Sequence, residues 1–515
     1  MIYALLTALY VFCAFTLAAY AIGAFFLLLA YYRHRDEGYR TPILKQYPKV
    51  CVQLPIYNER FVVRRLLDAV AAFDYPRDCL EIQVLDDSTD DTADITAAKV
   101  GALRRKGLNI THIRRGSRQG FKAGALAYGL TLTDAEYAAV FDADFVPPTD
   151  FLKRTIPLLA ADPGLALVQT RWGHLNDSES ALTMGQALAL DGHFVVEQTA
   201  RSRSNYLMNF NGSGGVWRIT AIHDAGGWRD ITLTEDLDLS YRAQLKGWRF
   251  AYLPDVVVPA EVPPTLSAYK QQQARWAKGG SQTLLLLIKP IWTHRRLTLP
   301  QRLMATMHLC QYVVHPVMIT LILLMPPLVL SGSLQKVELG ILGITGLFPP
   351  MIFVASQRAL YPNWARRLMM LPALVVMGTG LAWSNSRAVM GGLLGIKEEF
   401  HRTPKYSDIH SRQPHNANPY TLKLNKNVGW ELLLSLYALW GVAISLRNAP
   451  AFAPYLGLYS FAFAVMAIWG IREAWSSRRD AKRGANSDDA PNKADDADVS
   501  EEAENAYESM AEHMK

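Results

Sequence analysis

The stretch "VCVQLPIYNERFVVRRLLDAVAAF" (50–73) decides the fold. It opens as a β-branched, apolar run, breaks at the polar turn Tyr57-Asn58-Glu59, and continues with helical spacing. The same unit recurs. "EIQVLDDS" (81–88), "NITHIRR" (109–115), "AAVFDADF" (138–145) and "ALVQTRW" (166–172) read as further strands, with helical stretches such as "KAGALAYGL" (122–130) between them. Strands alternating with helices predict a mostly parallel sheet covered on both faces. In such sheets ligands bind beyond the carboxyl ends of the strands. The polar residues gather at those ends: Tyr57, Asn58 and Glu59, then Asp86 and Asp87, then Asp142 and Asp144. No GxGxxG or Walker A sequence occurs, which argues against a dinucleotide oxidoreductase or a P-loop ATPase.

Outside this α/β region the composition changes. At 515 residues the chain exceeds one ordinary domain, and residues 1–32 and 303–475 carry long apolar runs. A crossing of the bilayer takes about 20 such residues. Five spans are expected, near 4–30, 304–330, 337–356, 429–446 and 452–471, which makes this a polytopic membrane protein with the α/β domain (48–290) inserted between transmembrane helices. Net charge is +7, but the tail 488–515 holds ten acidic residues against two lysines, so the remainder stands at +15. That positive charge flanks the apolar runs ("YYRHR", 31–35; "SSRRDAKR", 476–483), placing those flanks and the α/β domain in the cytoplasm with the N-terminus outside. The segment near 366–395 is apolar but basic on both sides, so a re-entrant or interface-lying helix is expected there, with a plain sixth span as the alternative. The acidic tail 480–515 reads as disordered. No basic stripe interleaved with aromatics is present, so nucleic acid is not an expected partner. The four cysteines have neither disulfide-framework nor zinc spacing, and the first apolar run is too long for a cleaved signal peptide.

Several clusters invite chemistry. In "FDADF", Asp142 and Asp144 two apart at a strand end would share a face and bind Mg²⁺ or Mn²⁺ together with diphosphate oxygens; a solvated acidic turn is the alternative. Lys122 starts a helix, where the dipole disfavours a cation unless an anion lies near. In "TEDLDLSYRAQLKGWRF" (234–250), Glu235 and Asp236 sit together in the first turn of a helix that stops at Gly247. In "QQQARWAKGG", Gln272, Arg275 and Trp276 share one helical face, suited to a phosphate and a sugar ring or, equally, to a headgroup interface.

In this order, "PIYNE", "LDDSTDDT", "KAGAL", "DAD", "NGSGGVWR", "TED" and "QQQARW" resemble the family 2 inverting glycosyltransferases of the cellulose synthase superfamily, whose pattern is D, DxD, TED, QxxRW. "ALVQTRWGHLN", "HFVVEQ" and "LKGWRFAYLPDV" are similar to the cellulose-synthase-like A and C branch, the mannan, glucomannan and glucan synthases. The resemblance implies a GT-A (Rossmann-like) cytosolic domain. It also implies transfer of hexose from a nucleotide sugar (UDP-glucose, GDP-mannose or GDP-glucose) to a growing β-linked glycan secreted through the protein's own channel. A short-chain transferase acting on a lipid acceptor is the alternative. By matching position, Tyr57, Glu59 and Asp87 would hold base and ribose, Lys122 and Arg275 the diphosphate, and Asp142 and Asp144 the metal. Asp236 would be the base, and Phe210, Asn211, Gly212, Gln272 and Trp276 would face the acceptor. "FHRTPK", within 396–406, resembles a gating loop through Phe400, Arg402, Thr403 and Lys405, although Arg402 stands where the family usually has Val. Trp383, Trp430, Tyr437 and Trp440 are candidates to stack on sugar rings, or plain lipid-facing aromatics. The expected location is a bacterial inner membrane, with membrane lipids as surroundings.

Overall fold

The computed structural model describes residues 1–337, 340–396 and 427–485. Seven strands form one sheet: β1 (Val50–Ile56), β2 (Leu80–Asp86), β3 (Ile110–Ile113), β4 (Tyr137–Val140), β5 (Leu165–His174), β6 (Gly215–Arg218) and β7 (Arg249–Ala260). Their order is β3-β2-β1-β4-β6-β5-β7. All neighbours are parallel except β6, which runs antiparallel to both β4 and β5. The five expected strands are present. β6 and β7 are additional: β6 is four residues long and enters from a glycine-rich loop, and β7 carries Pro254 and Pro259.

Alternation along the strands feeds two cores. Val50, Val52, Leu54 and Ile56 of β1 point into one, where Phe141, Phe145 and Phe151 join them. Ala138 and Val140 of β4 point into the other, around Phe210, Trp217, Trp228 and Phe250. Helices cover both faces, so both sides of the strands are apolar and the runs read as nearly continuous. Trp217 is wholly buried, and its truncation to Ala would cost about 3–5 kcal/mol.

The direction of β6 shapes the site. Being antiparallel, it begins where β4 ends, with Gly215 opposite Val140. The loop 210–214 that enters β6 therefore arrives at the carboxyl ends of β1 and β4. Gly214 N–H donates to the Val140 carbonyl (3.0 Å), and Asp142 N–H donates to Ser213 Oγ (3.0 Å).

Among the described residues, four helices are long and apolar enough to cross a membrane: Ile2–His34, Gln311–Leu330, Asn427–Asn448 and Pro450–Ser476. The expected span 337–356 is not one of them. Helices Gly340–Thr345 and Phe348–Leu360 replace it, separated near Gly346 where Pro349 and Pro350 begin the second helix without amide protons. The segment expected to be re-entrant is a pair, Trp364–Gly380 and Ala382–Leu393, bent by 44°. The gating-loop residues Phe400, Arg402, Thr403 and Lys405, and the tail from 486, lie outside the described residues.

The helix Leu266–Thr293 carries Gln272, Arg275 and Trp276 and is gripped from the C-terminal region. Glu473 accepts the N–H groups of Leu266 (2.6 Å) and Ser267 (3.1 Å), satisfying donors that the helix start leaves open. Two residues before Gln272, Lys270 donates to both oxygens of buried Glu431 (2.7 and 2.9 Å).

Candidate active site

β4 stops at Val140, and Phe145 N–H donates to the Asp142 carbonyl (3.1 Å), so the DAD sequence lies in a turn. The strand-face argument for pairing Asp142 with Asp144 does not apply, yet the turn brings both to one cleft of about 170 Å³. Glu59, Lys122, Asn211, Gly212, Asp236, Gln272, Arg275 and Trp276 line the same cleft. Lys122, second in the helix Phe121–Leu130, donates to Asp142 Oδ1 (2.5 Å) and to the Gly212 carbonyl (2.8 Å). The carboxylate offsets what the helix dipole disfavours.

Among the described residues no three His, Cys, Asp or Glu side chains converge to hold a metal by themselves. The hard oxygens of Asp142 and Asp144 nevertheless suit Mg²⁺ or Mn²⁺, which is commonly held by one or two carboxylates and completed by substrate phosphates. The donor set fits a cation that arrives with a diphosphate.

Asp236 sits in the first turn of the helix Glu235–Leu245, which ends as expected at Gly247 (φ +100°). Its Oδ1 accepts the N–H of Leu237 (2.8 Å). Its Oδ2 faces Gly212 so closely that a Cβ there would lie 2.9 Å away, and Gly212 has φ +84°, so only glycine fits. Burial, and then the neighbouring Glu235 charge, push the Asp236 carboxyl up to about 7, against the pull of Lys122, the Leu237 N–H and Arg275. Thr234 presses on the helix that carries Gln272: a Cβ on Gly279 would come within 2.6 Å of its side chain. The acid at 236 and the residues at 272–276 thus share one rigid contact.

The remaining predicted residues divide. Tyr57 lies under the Arg118 guanidinium (3.4 Å to the ring centre), and Asp87 pairs with Arg115, whose Nε donates to Oδ1 at 2.9 Å. They stand at the ends of β1 and β2, beside the cleft, but do not line it. Phe210 is not brought to the site: its ring is wholly buried against Trp217 and Trp228, 5.8 and 6.3 Å between centres, because an aromatic side chain entering β6 joins the apolar core. Its backbone carries the loop; its ring does not face the acceptor side.

Past Asp236 the cleft joins a second cavity of about 390 Å³. Asn211, Asp236, Gln272 and Trp276 line both spaces, and the cavity extends to Gln273, Gln311 and Tyr312 between the α/β domain and the apolar helices. Tyr312 donates to Gln273 Oε1 (3.1 Å). Sequence reasoning missed Tyr312, Gln273, His193 and Glu197 in this wall. The one available signal was polar His193 and Glu197 four apart in an otherwise apolar segment. Trp383 stacks near Trp430 (5.2 Å) and Tyr437 near Trp440 (5.6 Å), and none of the four lines either space.

Comparison with known proteins agrees with this geometry. Residues 48–279 match the model of the family described as glycosyltransferase like family 2. The probable glucomannan 4-beta-mannosyltransferase 7 of Oryza sativa subsp. japonica is 38% identical over 357 residues, 68% of this chain and 60% of that protein. The glucomannan 4-beta-mannosyltransferase 9 of Arabidopsis thaliana is 44% identical over 257 residues, 49% of this chain and 48% of that one. The chain therefore spans between about half and three-fifths of these relatives. Both are plant proteins, which leaves the expectation of a bacterial inner membrane without support. In fold, the chain is similar to the mannosyltransferase PcManGT from Pyrobaculum calidifontis, solved in complex with GDP-Man and Mn²⁺ (TM-score 0.50, 22% identity, 76% of this chain and 100% of that chain). Residues 48–279 are therefore a family 2 glycosyltransferase domain with a GT-A-like fold, and the relatives it resembles are named glucomannan 4-beta-mannosyltransferases.

Proposed function

We propose that this chain is a membrane-embedded, inverting hexosyltransferase that moves mannose from GDP-mannose to the growing end of a β-linked mannan or glucomannan. The names of the relatives and the GDP-Man in the PcManGT complex support the choice of sugar and base. One observation carries the mechanism: among the described residues, Asp236 is the only acidic side chain that lines both the cleft and the cavity. A sugar hydroxyl is a poor nucleophile until a positioned carboxylate takes its proton, and a carboxyl poised near neutrality can do so.

In this reading the donor diphosphate occupies the cleft with Lys122 and Arg275 against it, and Tyr57, Glu59 and Asp87 toward the nucleoside. The acceptor sugar enters from the cavity between Asn211, Gln272 and Trp276. Asp236 takes the proton of its hydroxyl as that oxygen attacks the face opposite the diphosphate, turning an α-linked donor into a β linkage. Lys122 and Arg275 stabilise the charge gathering on the leaving group. Mg²⁺ or Mn²⁺ on Asp142 and Asp144 would supply further neutralisation of that charge. The cavity's extension to Gln311 and Tyr312, at the start of the apolar helix Gln311–Leu330, supports export of the product through the same protein, with the α/β domain on the cytoplasmic side.

A donor panel of GDP-mannose, GDP-glucose and UDP-glucose, followed by nucleoside diphosphate release with Mn²⁺ or Mg²⁺ and then by product linkage analysis, tests this. Preferential turnover of GDP-mannose to long, mannanase-sensitive chains is expected. Turnover confined to UDP-glucose, or label found only in chloroform-extractable product, would overturn it.

A further inference from the structure

One part of the cavity wall contains a run of hydrogen-bonded side chains that leads back to Asp236. Residues Gly192–Gln198 form a π-helix, a rare hydrogen-bonding pattern that brings residues five apart into line and is frequently found at functional sites. Through it both His193 and Gln198 reach one side chain, Asn211. Gln198 Nε2 donates to Asn211 Oδ1 (2.6 Å), and Asn211 Nδ2 donates to His193 Nε2 (2.9 Å). His193 Nε2 is thus an acceptor, its proton sits on Nδ1, and that proton points at Glu197 Oε2, 3.1 Å away. Gln169 Oε1 completes the clamp by accepting the Asn211 N–H (3.1 Å).

Asn211 is followed by Gly212, which contacts Asp236 and takes the Lys122 hydrogen bond. The order Glu197, His193, Asn211, Gly212 therefore ends at the acid and the cation of the cleft. His193 and Glu197 line the cavity; they do not line the cleft that holds Asp142 and Asp144. The Glu197 carboxyl stays ionised: burial would raise it, but the hydrogen bond from His193 and the nearby Arg201 charge outweigh this and hold it below the usual range.

Building on the proposed transfer reaction, we infer that His193 and Glu197 are positioning residues for the acceptor: they fix the Asn211 amide, and with it the face of the loop against which the acceptor sugar must lie for Asp236 to reach its hydroxyl. An ionised carboxylate locks the imidazole tautomer, the imidazole locks the amide, and the amide presents one fixed pattern to an incoming hydroxyl. The donor side has a second anchor outside this run of hydrogen bonds, because Lys122 is held by Asp142 as well as by the Gly212 carbonyl.

Full-length protein in detergent, with GDP-mannose, Mn²⁺ and mannotetraose, separates the two sides kinetically. His193→Ala frees the Asn211 amide and is expected to raise KM for mannotetraose about tenfold or more, with KM for GDP-mannose changed less than about twofold. Glu197→Leu is expected to follow His193→Ala, and Glu197→Gln, which still accepts the Nδ1 proton, to recover about half of that loss on a logarithmic scale. Equal rises in both KM values, or an unchanged mannotetraose KM in His193→Ala, would overturn the inference while leaving the transfer reaction intact. A wild-type protein that elongates no acceptor would remove the reading on which it rests.

Discussion

The cleft at the strand ends is walled by Glu59, Asp142, Asp144, Lys122 and Arg275; Asn211, Gln272 and Trp276 border both spaces, and the cavity beyond Asp236 adds neutral amides and aromatics such as Gln273, Gln311 and Tyr312. The first wall is crowded with charge, some of it paired across the cleft, as between Lys122 and Asp142. The second offers hydrogen bonds and flat apolar surface. A nucleoside diphosphate carries formal charge and a hexose carries none, so the contrast matches the two substrates of a glycosyl transfer. It also accounts for the place of the proposed base between them: in that role Asp236 must be near enough to cations to ionise, yet sufficiently desolvated to hold a proton.

After the proposed base itself, the strongest test of that contrast is on the charged wall. Asp142→Asn is expected to lower turnover by roughly 10³-fold and to abolish any gain in GDP-mannose affinity from Mn²⁺, read by calorimetry with and without the ion. Donor affinity that still responds fully to Mn²⁺ would break the assignment. On the neutral wall, Trp276→Ala removes an apolar face worth about 1.5–3 kcal/mol when covered. It should raise acceptor KM between about tenfold and a hundredfold and leave donor KM within about threefold; the reverse pattern would exchange the two walls.

The contact that joins the walls is tested by Gly279→Ala. The new methyl would lie 2.6 Å from Thr234, and the helix that carries Arg275 and Trp276 must shift away from Asp236. Overpacking of this kind costs about 1–3 kcal/mol, and kcat is expected to fall about tenfold, more than the melting temperature of the α/β domain alone would suggest. An unchanged kcat would mean the contact is incidental.

The smallest expected effect is a pH shift. A base must be ionised, so activity should rise with pH through a limb near 7. Glu235→Gln removes the like charge that helps raise Asp236 and should move this limb to lower pH. The linkage has the matching sign. A carboxyl raised in the folded state adds stability when protonated and loses it as pH climbs through its folded value, so Glu235→Gln should melt higher than wild type at pH 8 and show less benefit at pH 5. A limb that stays in place would detach Glu235 from the base.

Much of the fold was legible because local pattern and tertiary role agree. β1, β2 and β4 are buried on both faces, and their apolar runs end where the polar cleft residues begin. β6 was hidden because four residues after a glycine-rich loop carry no period, and β7 because its prolines read as a turn. The DAD pair was found by a rule that does not operate there: the turn, rather than strand alternation, brings the acids together. Phe210 was drawn to the site by its place in a motif, but its ring obeys the apolar core. His193 and Glu197 escaped because two polar residues four apart are an ordinary helical pair, whereas the feature that aims His193 and Gln198 together at Asn211 is a π-turn, a five-residue alignment that a search at 3.6-residue spacing passes over. The broken segment at 337–356 shows the same limit: mean apolarity is high enough to cross, while Gly346, Pro349 and Pro350 decide that one helix does not run through.

The most direct measurement is on Asp236→Asn, assayed in parallel for GDP-mannose binding with Mn²⁺ and for mannosyl transfer to an oligosaccharide. The amide keeps the size of the carboxyl and cannot take the acceptor proton. The account predicts donor affinity within about threefold of wild type and transfer reduced by roughly 10³-fold or more. Transfer at the wild-type rate by the Asn variant would contradict it.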